Sequence, residues 1–103
     1  MSEQTEKIII KINKELQELI PKFLQNRKKD IENLQDALNK NDFEAIRIMG
    51  HTLQGVGGGY GFYQITALGE KISKAAKTKD IKSIENLISE FIDFMNNIRV
   101  EYE

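Results

Sequence analysis

His51 is the only histidine of the chain. It stands in residues 46–62, IRIMGHTLQGVGGGYGF, a stretch that also holds six of the seven glycines. At neutral pH an exposed imidazole keeps a free ring-nitrogen lone pair for most of the time, so it can accept a phosphoryl group and later give it up. Little else in the chain competes with it. There is no cysteine, which removes disulfides, thiolate metal sites and thiol nucleophiles, and a single histidine argues against a zinc or iron site. No Ser/His/acid set has a readable spacing, and no pair of acids stands apart from the solvated charge. A general-base role lacks an orienting acid, because the residues one turn from His51 are Arg47, Ile48, Gln54 and Gly55.

The glycine run does not read as a phosphate cradle. A P-loop needs Lys and then Ser or Thr after its last glycine, but Gly61 is followed by Phe62 and Tyr63. The dinucleotide spacing GxGxxG is not met from Gly55, Gly57 or Gly59, and no strand pattern precedes it. A phosphoryl donor would therefore have to be another protein, which fits a carrier better than an enzyme.

The element that must position the ring is a helix beginning near Phe43. In it Phe43, Ile46, Gly50, Leu53 and Gly57 follow the three-and-four spacing of a buried stripe. At roughly 100° per residue His51 points more than about 120° from the centre of that stripe, on a face shared with Arg47, Gln54, Gly55 and Gly58. Each glycine inside a helix costs about 1 kcal/mol relative to alanine, so the run needs a reason. Gly50 and Gly57 on the core side would let another helix come close. Gly55 and Gly58 on the outer side remove side chains that would fence the imidazole, and with Ile48 they are the expected partner-docking positions.

The totals set the frame. One hundred and three residues suit a single domain, 1–103, able to bury roughly 60 to 65% of its unfolded surface. Lysine and arginine number 15 against 16 acids, so no bulk field draws the chain to nucleic acid or to an anionic membrane. The cationic residues 27–29 are offset by Asp30 and Glu32 and read as a solvated helix face. The opening MSEQTEKIII reads as neither a signal peptide nor a membrane span, and a cysteine-free chain suits a reducing cytoplasm.

Along the chain, residues 1–7 are polar and expected to fray. Residues 8–12 alternate as a short extended segment, and Asn13 is the expected N-cap of a short helix over 14–20 carrying Leu16, Leu19 and Ile20. Pro21 marks a break or the first turn of a helix to about Leu38, with Phe23, Leu24, Ile31, Leu34 and Leu38 as its stripe. Residues 39–42 form a turn, with Asn41 or Asp42 as N-cap and Glu44 placed to close a capping box from Asn41. The histidine helix is expected to loosen over 57–61. A helix over 63–77 buries Ile65, Leu68, Gly69, Ile72, Ala75 and Ala76 and turns Lys71, Lys74 and Lys77 outward. After a turn at 78–80, a last helix with Ile81, Ile84, Ile88, Phe91 and Met95 runs to about Arg99. The alternative for that end is a two-stranded tie of Ile98, Val100 and Tyr102 to Ile8, Ile10 and Ile12. The pattern predicts an all-α fold: an antiparallel up-and-down four-helix bundle with a short extra N-terminal helix. Stripes that satisfy one another internally favour a monomer.

Residues 50–62, GHTLQGVGGGYGF, resemble the signature of the histidine-containing phosphotransfer domain family: HxLKG, then small residues and a Gly-Phe or Gly-Leu pair. The stretches FLQNRKKDIENLQDAL, NDFEAIR and ITALGEKISKAAKTKDIKSIENL are similar to that family as well, so the likeness covers nearly the whole chain. The resemblance implies a helical bundle that relays phosphoryl groups in two-component signalling, with His51 as phosphoacceptor through its Nε2. It implies receiver domains and a hybrid or sensor histidine kinase as partners. It implies no cofactor in this chain, the magnesium and acidic pocket belonging to the receiver. One position departs from the pattern: Gln54 stands where the family usually has lysine. Its amide donates a hydrogen bond but carries no charge, a loss of about 1 kcal/mol or less at an exposed site. Arg47, one turn before His51, is expected to supply the charge, while Lys71 and Lys74 read as a solvated face. Two alternatives are a receiver- or kinase-binding helical module that no longer takes phosphate and a helical interaction protein in which His51 is incidental.

Overall fold

The computed structural model describes residues 7–103, so the fraying expected of residues 1–7 falls, apart from Lys7, outside the described residues. Four helices form: α1 (Ile20–Asn39), α2 (Phe43–Gly59), α3 (Tyr63–Lys77) and α4 (Ile81–Asn97). α1 packs on α2 and α4, and α3 packs on the same two, which closes a four-helix ring around one apolar cluster. The stripes read from the periodicity supply most of that core. Leu34, Ile46, Phe62, Ile65, Ile72, Ile84 and Phe91 are wholly buried, each worth roughly 1.5 to 3 kcal/mol of apolar transfer. Pro21 lies in the first turn of α1, where its missing N–H leaves no gap in the helix.

The three turns between helices share one design. A residue with positive φ follows each helix: Asn41 (56°), Gly61 (88°) and Lys79 (56°). Its N–H and that of the next residue bond back into the last turn: Asn41 to Leu38 and Asp42 to Ala37, Gly61 to Gly58 and Phe62 to Gly57, Lys79 to Ala76 and Asp80 to Ala75. These are Schellman closures, and in each the second donor residue is also the N-cap of the following helix. Stopping one helix and starting the next within three residues forces the chain to reverse, hence the up-and-down order. At Gly61 the left-handed backbone carries no Cβ penalty, but Lys79 has one. Lys79→Gly is therefore expected to raise stability by about 0.5 to 1 kcal/mol, read as a higher urea midpoint with an unchanged slope.

Several expectations need correction. In place of a helix over 14–20 there is a single 3-10 turn, Lys14–Leu16, with Asn13 Oδ1 accepting from the Glu15 N–H at 2.8 Å, and Ile20 already belongs to α1. Seven residues ahead of a proline give too few turns to offset nucleation, and Leu19, meant for the buried stripe, is exposed. Asn41 starts no capping box. It occupies the left-handed position, Asp42 caps α2 by accepting from the Ala45 N–H at 3.1 Å, and Glu44 turns to Arg47 instead. α2 also stays helical through Gly59 rather than loosening at Gly57, because the Gly57 carbonyl is held by the N–H groups of Tyr60 and Phe62.

The last helix ends at Asn97 and does not reach Arg99. The chain continues as β2 (Ile98–Tyr102), paired in parallel with β1 (Ile8–Ile12) in the register Ile8 to Ile98 and Ile12 to Tyr102. The tie between the termini, the alternative at that end, is what forms. Its parallel sense follows from the topology: β1 precedes a reversal into α1, β2 prolongs α4, and the whole bundle serves as the crossover that parallel strands require. Ile10 and Ile12 are buried by it, and Ile98, Val100 and Tyr102 are half-buried against the same core.

Candidate functional site

The backbone of the site is set by the crossing of α2 and α3. A Cβ on Gly50 would lie 2.6 Å from the Ser73 nitrogen and 2.8 Å from the Gly69 carbonyl oxygen. One on Gly69 would lie 2.5 Å from the Gln54 nitrogen and 2.6 Å from the Gly50 oxygen. The two backbones touch there, which no other residue type permits. Gly57 is likewise shut in by Thr66 and the Phe62 carbonyl. Fixing the inner face of α2 in this way fixes the outer one, and His51 is exposed upon it. Among the described residues no side chain hydrogen-bonds to the imidazole, so its lone pair faces solvent.

The positions expected around the ring divide clearly. Gly55, one turn further along, would place a Cβ in open space, with nothing within 4 Å. Its presence therefore answers no packing demand. Gly58 is more confined: a Cβ there would meet Thr66 Oγ1 at 3.6 Å and the Tyr63 ring at 4.0 Å, ordinary contacts. Ile48 is 51% exposed, an apolar side chain at the rim of the cleared face, and Thr52 beside it bonds back to the Ile48 carbonyl at 3.0 Å. Gln54 is half-buried, with its backbone against Gly69.

Arg47 does not stand free. Its Nε donates to Glu44 Oε1 at 3.0 Å and its Nη2 to Glu44 Oε2 at 2.6 Å, a bidentate pair one turn earlier on α2. The hydrogen bonds from Arg47 hold the Glu44 carboxyl below its usual range, and the same bonds to Glu44 hold the Arg47 guanidinium in its charged form more firmly. Lys71 and Lys74 line a groove between α3 and the start of α4 with Asp80 and Ser83, and Lys74 pairs with Glu70 at 3.3 Å. Both face α4, which accords with their reading as a solvated face.

Three residues near His51 become apparent only in the structure. Glu44 reads from the sequence as a cap, although its i,i+3 spacing to Arg47 is a signal for a pair. Gly59 has the same open surroundings as Gly55 and reads from the sequence only as part of the run. Tyr63, 70% exposed at the first turn of α3, adjoins Gly58 across the turn that joins α2 to α3.

An accessible imidazole on α2, with open space at Gly55 one turn away, can present its lone pair to a protein-sized reactant. Among the described residues no helix is long and apolar enough to cross a membrane. No curated protein and no solved structure matches the chain. A family model described as Hpt domain matches residues 18–101, a span that includes all four helices and leaves β1 outside. With that match, the helical bundle and the exposed His51 in its glycine-rich setting, the chain belongs to the Hpt domain family, the histidine phosphotransfer domains of phosphorelays, which are phosphocarriers rather than enzymes.

Proposed function

We propose that the chain is a phosphorelay carrier in which His51 accepts a phosphoryl group from the aspartate of one receiver domain and passes it to the aspartate of another. The observation that carries this reading is the exposure of His51 beside Gly55, whose missing side chain serves no contact. In the forward step the Nε2 lone pair attacks phosphorus, the Nε2–P bond forms, and the P–O bond to the aspartate breaks with the carboxylate as leaving group. The reverse step regenerates the imidazole. Magnesium and the acidic pocket belong to the receiver in this scheme, so this chain needs no cofactor of its own.

Gln54 donates its amide to the phosphoryl oxygens, and Arg47 is the residue that can supply the charge glutamine lacks, in competition with its pair to Glu44. Gly55, Gly58 and Ile48 form the surface on which the receiver seats, and a hybrid or sensor histidine kinase is the source of phosphate upstream. The chain acts as a monomer, with one acceptor per bundle.

The experiment is transfer of labelled phosphate from a phosphorylated receiver domain to this chain, with the acid lability of the product as readout. Acid-labile label on the chain supports the carrier. Receiver binding without label would favour a docking module, the reading to which Gln54 lends some support, and neither binding nor label would overturn both.

A further inference from the structure

The Arg47–Glu44 pair bears on how long a phosphoryl group would survive on His51. Side chains on a helix lean towards its N-terminus, and the guanidinium of Arg47 is drawn that way by both carboxylate oxygens of Glu44, away from the residue that follows it by one turn. Glu44, Arg47 and His51 lie at spacings of three and four, so they form one row on the outer face of α2. Both members of the pair are solvent-accessible, with side-chain exposures of 37% for Arg47 and 68% for Glu44. Pairs of that kind contribute modestly, so Glu44 biases the position of Arg47 without locking it there. A phosphoryl group carries more negative charge than a carboxylate and three acceptor oxygens, and its arrival one turn away sets up a competition for the same fork of donors.

We propose that Glu44 is a positioning residue that limits the lifetime of phosphohistidine at His51, by holding Arg47 a turn away from the phosphoryl oxygens that would otherwise engage it. This rests on the reading of His51 as phosphoacceptor. Free of Glu44, the guanidinium neutralises the phosphoryl oxygens and disfavours protonation of the ring nitrogen, the event that makes the P–N bond labile. Held by Glu44, it leaves the group closer to the bare imidazole's behaviour. Hydrolysis in either case forms a P–O bond from water, breaks Nε2–P, and releases inorganic phosphate and neutral imidazole.

The test uses the whole chain charged with phosphoramidate, a small donor whose P–N bond breaks with loss of ammonia as Nε2–P forms, so that receiver docking is not involved. Decay of the phosphohistidine is followed by phosphorus NMR in the native chain, Glu44→Gln, Arg47→Ala and the double variant, with thermal melts as a check on folding. Glu44→Gln is expected to lengthen the half-life roughly two- to fivefold over the native chain, and Arg47→Ala to abolish that gain, so that the double variant decays like Arg47→Ala alone. A Glu44→Gln half-life equal to the native one overturns the proposal. So does an equal lengthening with or without Arg47, since that is a plain charge effect of Glu44. If the native chain takes no label while a receiver-independent control histidine peptide does, the phosphoacceptor reading itself fails and the proposal falls with it.

Discussion

His51→Gln is expected to take no acid-labile label from a phosphorylated receiver domain, under conditions where the native chain is labelled, and to melt within about 0.5 kcal/mol of it. Both halves follow from the position of the ring. The chain has one histidine and no cysteine, so no second nitrogen or sulfur nucleophile of that kind can take over. The side chain is exposed, and among the described residues it anchors no hydrogen bond, so its removal leaves no cavity and no orphaned partner. Glutamine keeps the helix and the polarity but has no nucleophilic lone pair. Label that persisted on the variant, or label on the native chain that survived acid, would place the acceptor elsewhere, on a hydroxyl or a carboxylate.

Substitution of the glycines should separate packing from function. In a helix interior alanine is favoured over glycine by about 1 kcal/mol, and at Gly69 that gain is opposed by backbone atoms of α2 at 2.5 and 2.6 Å from the added carbon. Backbone cannot step aside as a side chain can. Relief requires prising α2 from α3, and Gly69→Ala is expected to cost about 3 kcal/mol, at the upper end for overpacking, seen as a lower urea midpoint. That is a large part of the 5 to 15 kcal/mol typical of a domain. At Gly55 nothing opposes the gain, since no atom lies within 4 Å. Gly55→Ala should therefore leave the fold as stable or up to about 1 kcal/mol more so. Gly55→Leu should stay folded and lose at least about tenfold in transfer from a receiver, the 1.4 kcal/mol equivalent of a seat obstructed one turn from His51. Transfer at the native rate through Gly55→Leu would remove the argument that this face is cleared for a partner. A destabilised Gly55→Ala would show that the glycine serves the fold after all.

The histidine's exposure was legible because a helix repeats every 3.6 residues: once Ile46, Gly50, Leu53 and Gly57 are taken as the inner row, the direction of His51 follows without any tertiary information. The same arithmetic located α3 and most of the core. It failed over 14–20, where one 3-10 turn replaces the expected helix, and at the C-terminal end, where Ile98, Val100 and Tyr102 suit helix and strand alike and the choice turned on a partner strand some ninety residues away, at β1. It failed for Asn41 and Glu44 because two local motifs, a capping box and a Schellman closure, compete for the same residues. The closure won, since it satisfies the end of α1 and leaves Asp42 to cap α2.

By itself, then, the sequence determined the local facts of this protein: four amphipathic helices, their short turns and a solvent-facing histidine amid glycines. Those depend only on residues within a turn or two of one another. The tertiary structure decided which glycines are forced and which are free, that Lys71 and Lys74 turn to α4, and that the termini close as parallel strands. Each of these depends on how one helix is rotated and set against another, and a periodic stripe leaves that rotation open by tens of degrees. The contact of Gly50 with Gly69 removes the freedom, and with it fixes what surrounds His51.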